Sequence, residues 1–216
     1  MLKGAFKISF SLFLAVAVLA GLAAAQSKTQ LTISGGMTYT FSYGDESDYA
    51  FGVNDFPVTP AYYAGHFGVT ITQFFGRTFG LSIEAREILR SKMTLEDPSD
   101  KDTVDIKTSR VLALSAGFVL RFGRGGLRPY LAVGAGVERL LDTGAQTLTS
   151  KNGYEVILEA PEKTQRIAAY GGAGLELDLA KWLGARLEAR YVYVRSETDM
   201  PTIHRVLVSA GLVFQL

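Results

Sequence analysis

Apolar and polar side chains alternate with a period of two from Leu31 onward. Leu31, Ile33, Gly35, Met37, Tyr39, Phe41 and Tyr43 stand against Thr32, Ser34, Gly36, Thr38, Thr40 and Ser42. Successive side chains of an extended chain point to opposite faces, so this spacing predicts a strand with one greasy and one polar side. The pattern returns seven more times, over 63–72, 79–86, 112–122, 131–138, 166–178, 183–193 and 205–216. The links alternate as well: 75–78, 123–128 and 180–182 are tight turns, whereas 44–61, 92–105, 142–164 and the shorter 196–201 are polar connections. Eight strands joined by short and long links in turn predict an all-β fold, an eight-stranded antiparallel up-and-down barrel whose ends face different surroundings.

Alternation alone fits a water-soluble barrel with its apolar face inside and a transmembrane β-barrel with that face outside. Glycine placement separates the two. Gly36, Gly68, Gly80, Gly117, Gly134, Gly136, Gly172, Gly174, Gly184 and Gly211 all share the face that carries the charges. On a solvated surface they would weaken strands for no gain, but in an eight-stranded lumen they leave room for Arg and Glu. The apolar face is also too bulky for so narrow an interior, whereas lipid accepts it. Aromatics divide between the two ends: Phe75, Phe79, Phe122, Tyr130, Trp182 and Phe214 beside the short turns, and Tyr39, Phe41, Tyr43, Tyr62, Tyr63, Tyr191 and Tyr193 beside the long links. Two interfacial girdles have this distribution.

The first residues pose a different problem. Lys3 and Lys7 precede an apolar run from Ile8 to Leu22, followed by Ala23, Ala24 and Ala25. This is the pattern of a cleaved secretory signal over 1–25, leaving 26–216 as the barrel domain. Without Lys3 and Lys7 the chain carries 20 basic and 21 acidic residues, a balance that excludes nucleic acid as an evident partner. The absence of cysteine rules out disulfide support and a lipoprotein anchor. No nucleotide motif or metal-ligand spacing occurs, and no cofactor is expected.

The final segment, Ser209-Ala210-Gly211-Leu212-Val213-Phe214-Gln215-Leu216, and the stretch GGAGLELDLAKWLGARLEARYVY from Gly171 carry a family likeness. The chain resembles the eight-stranded OmpA-type and opacity-like outer-membrane β-barrel proteins over essentially its whole mature length. That resemblance implies location in the outer membrane, contact with its lipids and lipopolysaccharide, and insertion by the barrel assembly machinery. Ser209, Gly211, Phe214 and Leu216 match the family's terminal assembly signal, with Leu216 in place of the usual final aromatic.

On the inward face the alternation gathers Glu84, Arg86, Arg90, Arg121, Glu138, Arg166, Glu176, Asp178, Arg186, Glu188, Arg190 and Arg205. Buried charges must be paired or hydrated, so these residues are expected to form an ion-pair network plugging the lumen. A gated ion path through them is the sharper alternative. The long connections hold four lysines and 15 acids, so acidic loops crown a basic barrel and offer a surface for an extracellular ligand. Lys107, Arg110, Arg139 and Arg195 lie near the loop ends, where lipopolysaccharide phosphates would be met, although side chains there can equally snorkel into water.

Two other functions can be weighed. A narrow conduit for small or apolar compounds could take its entry from Phe51, Phe56, Tyr62 and Tyr63, which could equally cap a loop. A lipid-modifying enzyme would need Ser, His and an acid together. His66 faces inward with no serine or acid partner at strand spacing, and His204 sits at the loop end of the lipid face, so both are expected to be structural and no catalytic residue is assigned. The leading expectation is a non-enzymatic barrel serving envelope integrity and surface interaction.

Overall fold

A computed structural model describes residues 28–43, 61–96, 103–123, 125–141, 146–149, 155–158, 165–195 and 202–216. The expected leader, residues 44–60 and therefore Phe51 and Phe56 lie outside these. Twelve strands follow one another: β1 (Lys28–Tyr43), β2 (Tyr62–Phe75), β3 (Phe79–Ile88), β4 (Lys92–Glu96), β5 (Thr103–Lys107), β6 (Val111–Arg121), β7 (Leu127–Leu140), β8 (Gln146–Thr149), β9 (Glu155–Leu158), β10 (Gln165–Asp178), β11 (Leu183–Arg195) and β12 (Thr202–Gln215). Eight of them close a barrel in the order β1-β12-β11-β10-β7-β6-β3-β2. Every pairing is antiparallel and each wall strand lies beside the next wall strand in sequence, the meander that the alternating links predict.

The remaining four strands correct the sequence reading. Segments 92–105 and 142–164 are not simply polar loops: the first opens the hairpin β4-β5, which runs on to Lys107, the second holds the hairpin β8-β9, and β5 approaches β8. Their alternation is too short to stand out from polar sequence, since each strand has only four or five residues. The opposite end is compact. Gly76, at φ 73°, and Gly123, at φ 87°, adopt the left-handed backbone that these turns need and that a side chain disfavours.

Exposure decides which way the wall faces. Val208 and Leu187 are each 58% exposed, while Glu176 and Arg205 are 2% exposed. A protein folding in water does the reverse, so the outer belt of Ile33, Met37, Ile83, Phe118 and Val133 requires an apolar surrounding. Closure is completed by β12, which pairs β1 on one edge and β11 on the other, so no unpaired backbone edge is left in the wall. Phe214 lies outward against Trp182, ring centroids 6.4 Å apart, and Leu216 N–H donates to the Thr29 carbonyl at 2.9 Å.

Candidate functional site

The inward residues collect into three tiers along the lumen. At the turn end, Glu176 on β10 receives Arg121 Nη2 at 2.9 Å, Arg128 Nη2 at 3.3 Å and Gln30 Nε2 at 2.9 Å. Arg128 also pairs with Asp178, which accepts from Gln215 Nε2 at 3.2 Å. The Arg121 guanidinium lies 3.7 Å from the centroid of the buried Phe74 ring. Two arginines and two carboxylates leave this tier neutral.

The middle tier is built from the strands that bear Glu84 and Arg86 on β3 and Arg186, Glu188 and Arg190 on β11. Arg190 bridges two carboxylates, reaching Glu84 Oε2 at 2.9 Å and Glu188 Oε1 at 2.6 Å. Arg86 holds the other oxygen of Glu84 at 2.6 Å. Arg186 donates through Nε to Tyr130 Oη at 2.6 Å, and that hydroxyl donates to Glu188 Oε2 at 2.7 Å. At the loop end, Arg205 meets Glu138 at 2.5 Å, with Arg166 and Tyr62 beside them. Arginine's planar fork suits this work, because one side chain can bridge two carboxylates without losing charge.

Strand register explains how such large groups fit. Tyr170 stands opposite Gly134, which stands opposite Gly117, which stands opposite Ser82. A Cβ on either glycine would collide with the Tyr170 phenol, so the ring lies across both. Tyr130 repeats the arrangement, crossing Gly174 to reach Glu188 in the next strand. His66 does so a third time: it faces Gly36, and beyond Gly36 lies Ser209, whose Oγ is 2.8 Å from His66 Nε2. Bare backbone is what lets an aromatic lie flat against the wall and hand its polar atom to a second neighbour.

These positions bear directly on the sequence-based assignments. Glu84, Arg86, Arg121, Glu138, Glu176, Arg186, Glu188, Arg190 and Arg205 are buried in the network, and Arg166 and Asp178 are half-buried at its two ends. Arg90 is not: it is exposed, two residues past the end of β3, where the alternation no longer has a strand to act on. Tyr130 and Tyr62 leave the girdles. Tyr130 is 2% exposed inside the barrel, and Tyr62 packs on the buried Ala64, Ile88 and Val111. Tyr63, its neighbour, points outward against Tyr39, so Tyr62 and Tyr63 do not line a common entry.

Arg128, Gln30 and the Ser209 partner of His66 escaped sequence reading. Parity would have found the first two, because even-numbered residues face inward in both β1 and β7. The glycines of 123–128 suggested that the turn extends through Arg128, but β7 begins at Leu127. Only cross-strand register reveals Ser209, which is 143 positions from His66. The pair is not a hydrolytic triad, because the other ring nitrogen, Nδ1, meets the Thr38 hydroxyl at 2.9 Å rather than a carboxylate. His204 sits within an outer aromatic cluster of Phe41, Tyr191 and Tyr193 and contacts the Tyr191 hydroxyl.

Around the loop-end rim, Lys107, Arg110, Arg139 and Arg195 are all exposed. Lys107 closes hairpin strand β5 rather than a wall strand. Arg110 is engaged by Glu87, an outward-facing carboxylate on β3. Across the wall, Glu87, Leu112, Arg139 and Gln165 are in register on β3, β6, β7 and β10, forming one polar row broken by a leucine.

Solved structures give the fold a setting. Neisserial surface protein A matches at a TM-score of 0.53 and 10% identity, covering 86% of this chain and 97% of that one. The N-terminal β-barrel domain of Pseudomonas aeruginosa OprF matches at 0.48 and 14%, over 88% and 100%. Ail, the attachment invasion locus protein of Yersinia pestis, solved with the heparin analogue sucrose octasulfate, matches at 0.45 and 17%, over 87% and 99%. No curated protein matches in sequence. Residues 11–214 match the family described as the outer membrane protein beta-barrel domain, and with the closed, apolar-belted barrel and its charged lumen this makes the chain a member of that outer-membrane family.

Proposed function

We propose that the protein is a non-enzymatic, closed barrel that contributes to envelope integrity and presents its acidic loops at the surface. The observation that carries this reading is the tiered network itself. Two spaces within it measure about 10 Å³ beside Arg186 and Arg86 and about 30 Å³ between Glu84 and Glu138. A single water needs roughly 10–15 Å³ by the same measure, so neither space is a continuous aqueous path. His66 and Ser209 are both buried on the inner face of the wall, away from the surrounding lipid.

Planar-bilayer recording of the refolded protein tests this directly. Silence is expected under conditions in which a porin inserted into the same membrane conducts; steady unitary conductance would replace the closed barrel with the conduit reading. For catalysis, lipid A from overexpressing cells should show unchanged acylation by mass spectrometry.

The exposed rim of Lys107, Arg110, Arg139 and Arg195 favours contact with lipopolysaccharide phosphates. Each basic group near an anionic surface contributes about 1 kcal/mol. Affinity for lipopolysaccharide should therefore fall about thirtyfold in a Lys107→Ala, Arg139→Ala double variant, read as lipopolysaccharide retained per barrel on purification. Unchanged retention would remove the rim from this role. Insertion through the assembly machinery, with Ser209, Gly211, Phe214 and Leu216 as its signal, belongs to the same proposal.

A further inference from the structure

Charge is unevenly shared along the lumen. The turn-end tier is neutral, but the two tiers above it bury Arg86, Arg186, Arg190 and Arg205 against only Glu84, Glu138 and Glu188. One positive charge is in excess among these buried groups, in surroundings where an uncompensated charge is expensive. Between those tiers lies the cavity of about 30 Å³, roughly two to three times the space a water requires. Arg86, Arg190 and Arg205 border it together with Glu84 and Glu138, and much of its remaining lining is apolar, including Ile88, Val192 and Leu207. Arg86 is 5% exposed and Arg205 2%, and the Nε of each has no hydrogen-bond partner within the protein.

We infer that this cavity is a binding site for one small, weakly hydrated monovalent anion, chloride in a natural setting, bordered by Arg86 and Arg205. A halide supplies the missing negative charge and accepts N–H bonds from several directions without needing donors in return. Water satisfies the N–H groups but leaves the charge. A divalent or polyatomic anion is too large for the space and would overcompensate beside Glu84 and Glu138. The bound anion would link the middle and loop-end tiers, so the stability of the plug would depend on which anion is present. The inference rests on the closed lumen proposed above; conductance recordings test that closure separately, and the measurements below do not depend on it.

Crystals of the full barrel grown or soaked in sodium bromide supply the test. An anomalous peak between Arg86 and Arg205 is expected; water density without anomalous signal there, or bromide at surface positions only and hence an adventitious ion only, would overturn the site. In solution, the temperature at which the folded, fast-migrating form is lost on electrophoresis should be higher in chloride or bromide than in fluoride at equal ionic strength. Arg86→Gln removes one positive charge yet leaves Glu84 paired with Arg190, so the variant should fold and lose both the peak and the halide dependence. Halide dependence of wild-type size in Arg86→Gln would refute the assignment to this cavity.

Discussion

Gly134→Ala is expected to abolish or severely weaken the folded barrel, whereas Gly171→Ala, on the neighbouring strand, should leave it intact. A Cβ on Gly134 would collide with the Ala116 carbonyl oxygen and with the Tyr170 ring, which is pinned across Gly134 and Gly117. Backbone on one side and a tightly packed phenol on the other leave nothing flexible to yield. The cost should reach about 3 kcal/mol or more, the upper end for overpacking. Gly171 faces outward, and an added Cβ meets nothing within 4 Å. Reducing the freedom of the unfolded chain should there make the substitution neutral or stabilising by about 0.4–1 kcal/mol. Urea unfolding in lipid vesicles, followed by Trp182 fluorescence, measures both. Equal effects at the two glycines would mean that ring-over-glycine packing does not set the lumen's dimensions.

The second large effect is expected from Glu176→Leu. This carboxylate is the common acceptor for Arg121, Arg128 and Gln30, and removing it leaves two guanidiniums and an amide at the turn end with only Asp178 as counter-charge. Breaking a buried pair from one side costs about 3–5 kcal/mol, most of it from the charge left behind. Glu176→Gln keeps an acceptor without the charge and should fall between wild type and Glu176→Leu. Adding Arg121→Met to Glu176→Leu should recover part of the loss, since the uncompensated cation then disappears. A double variant no more stable than Glu176→Leu would show that Arg121 does not carry the penalty.

Both variants explain why this lumen is rigid rather than merely full. Arg190 ties β11 to β3 across the barrel through Glu84, and Arg205 ties β12 to β7 through Glu138. Apolar clusters fill the gaps between the ion pairs: Phe74, Val119, Tyr130 and Ala132 on one side, and Ala168, Val192, Val194 and Leu207 on another. The inner face is therefore a core of mixed polarity, and the outer face a solvent-matching surface for lipid.

The period-two alternation of the sequence by itself determined the barrel, the number of its wall strands and the direction in which its charges point. It could do so because each side of a strand meets a different solvent, and a one-residue slip would invert every position at once. Parity also carried more than proximity did. Tyr130 and Tyr62 have inward parity, and their closeness to a turn or loop misdirected them to the girdles. Arg90 shows the converse, parity extended past the end of its strand. What only the tertiary structure decided is partnership. Parity places Arg190 inside but not opposite Glu84, 106 positions earlier, and it places His66 inside but not across Gly36 from Ser209. Those pairings depend on the stagger between strands and on which positions are bare enough for a ring or guanidinium to cross, and both are properties of the closed wall rather than of any one segment.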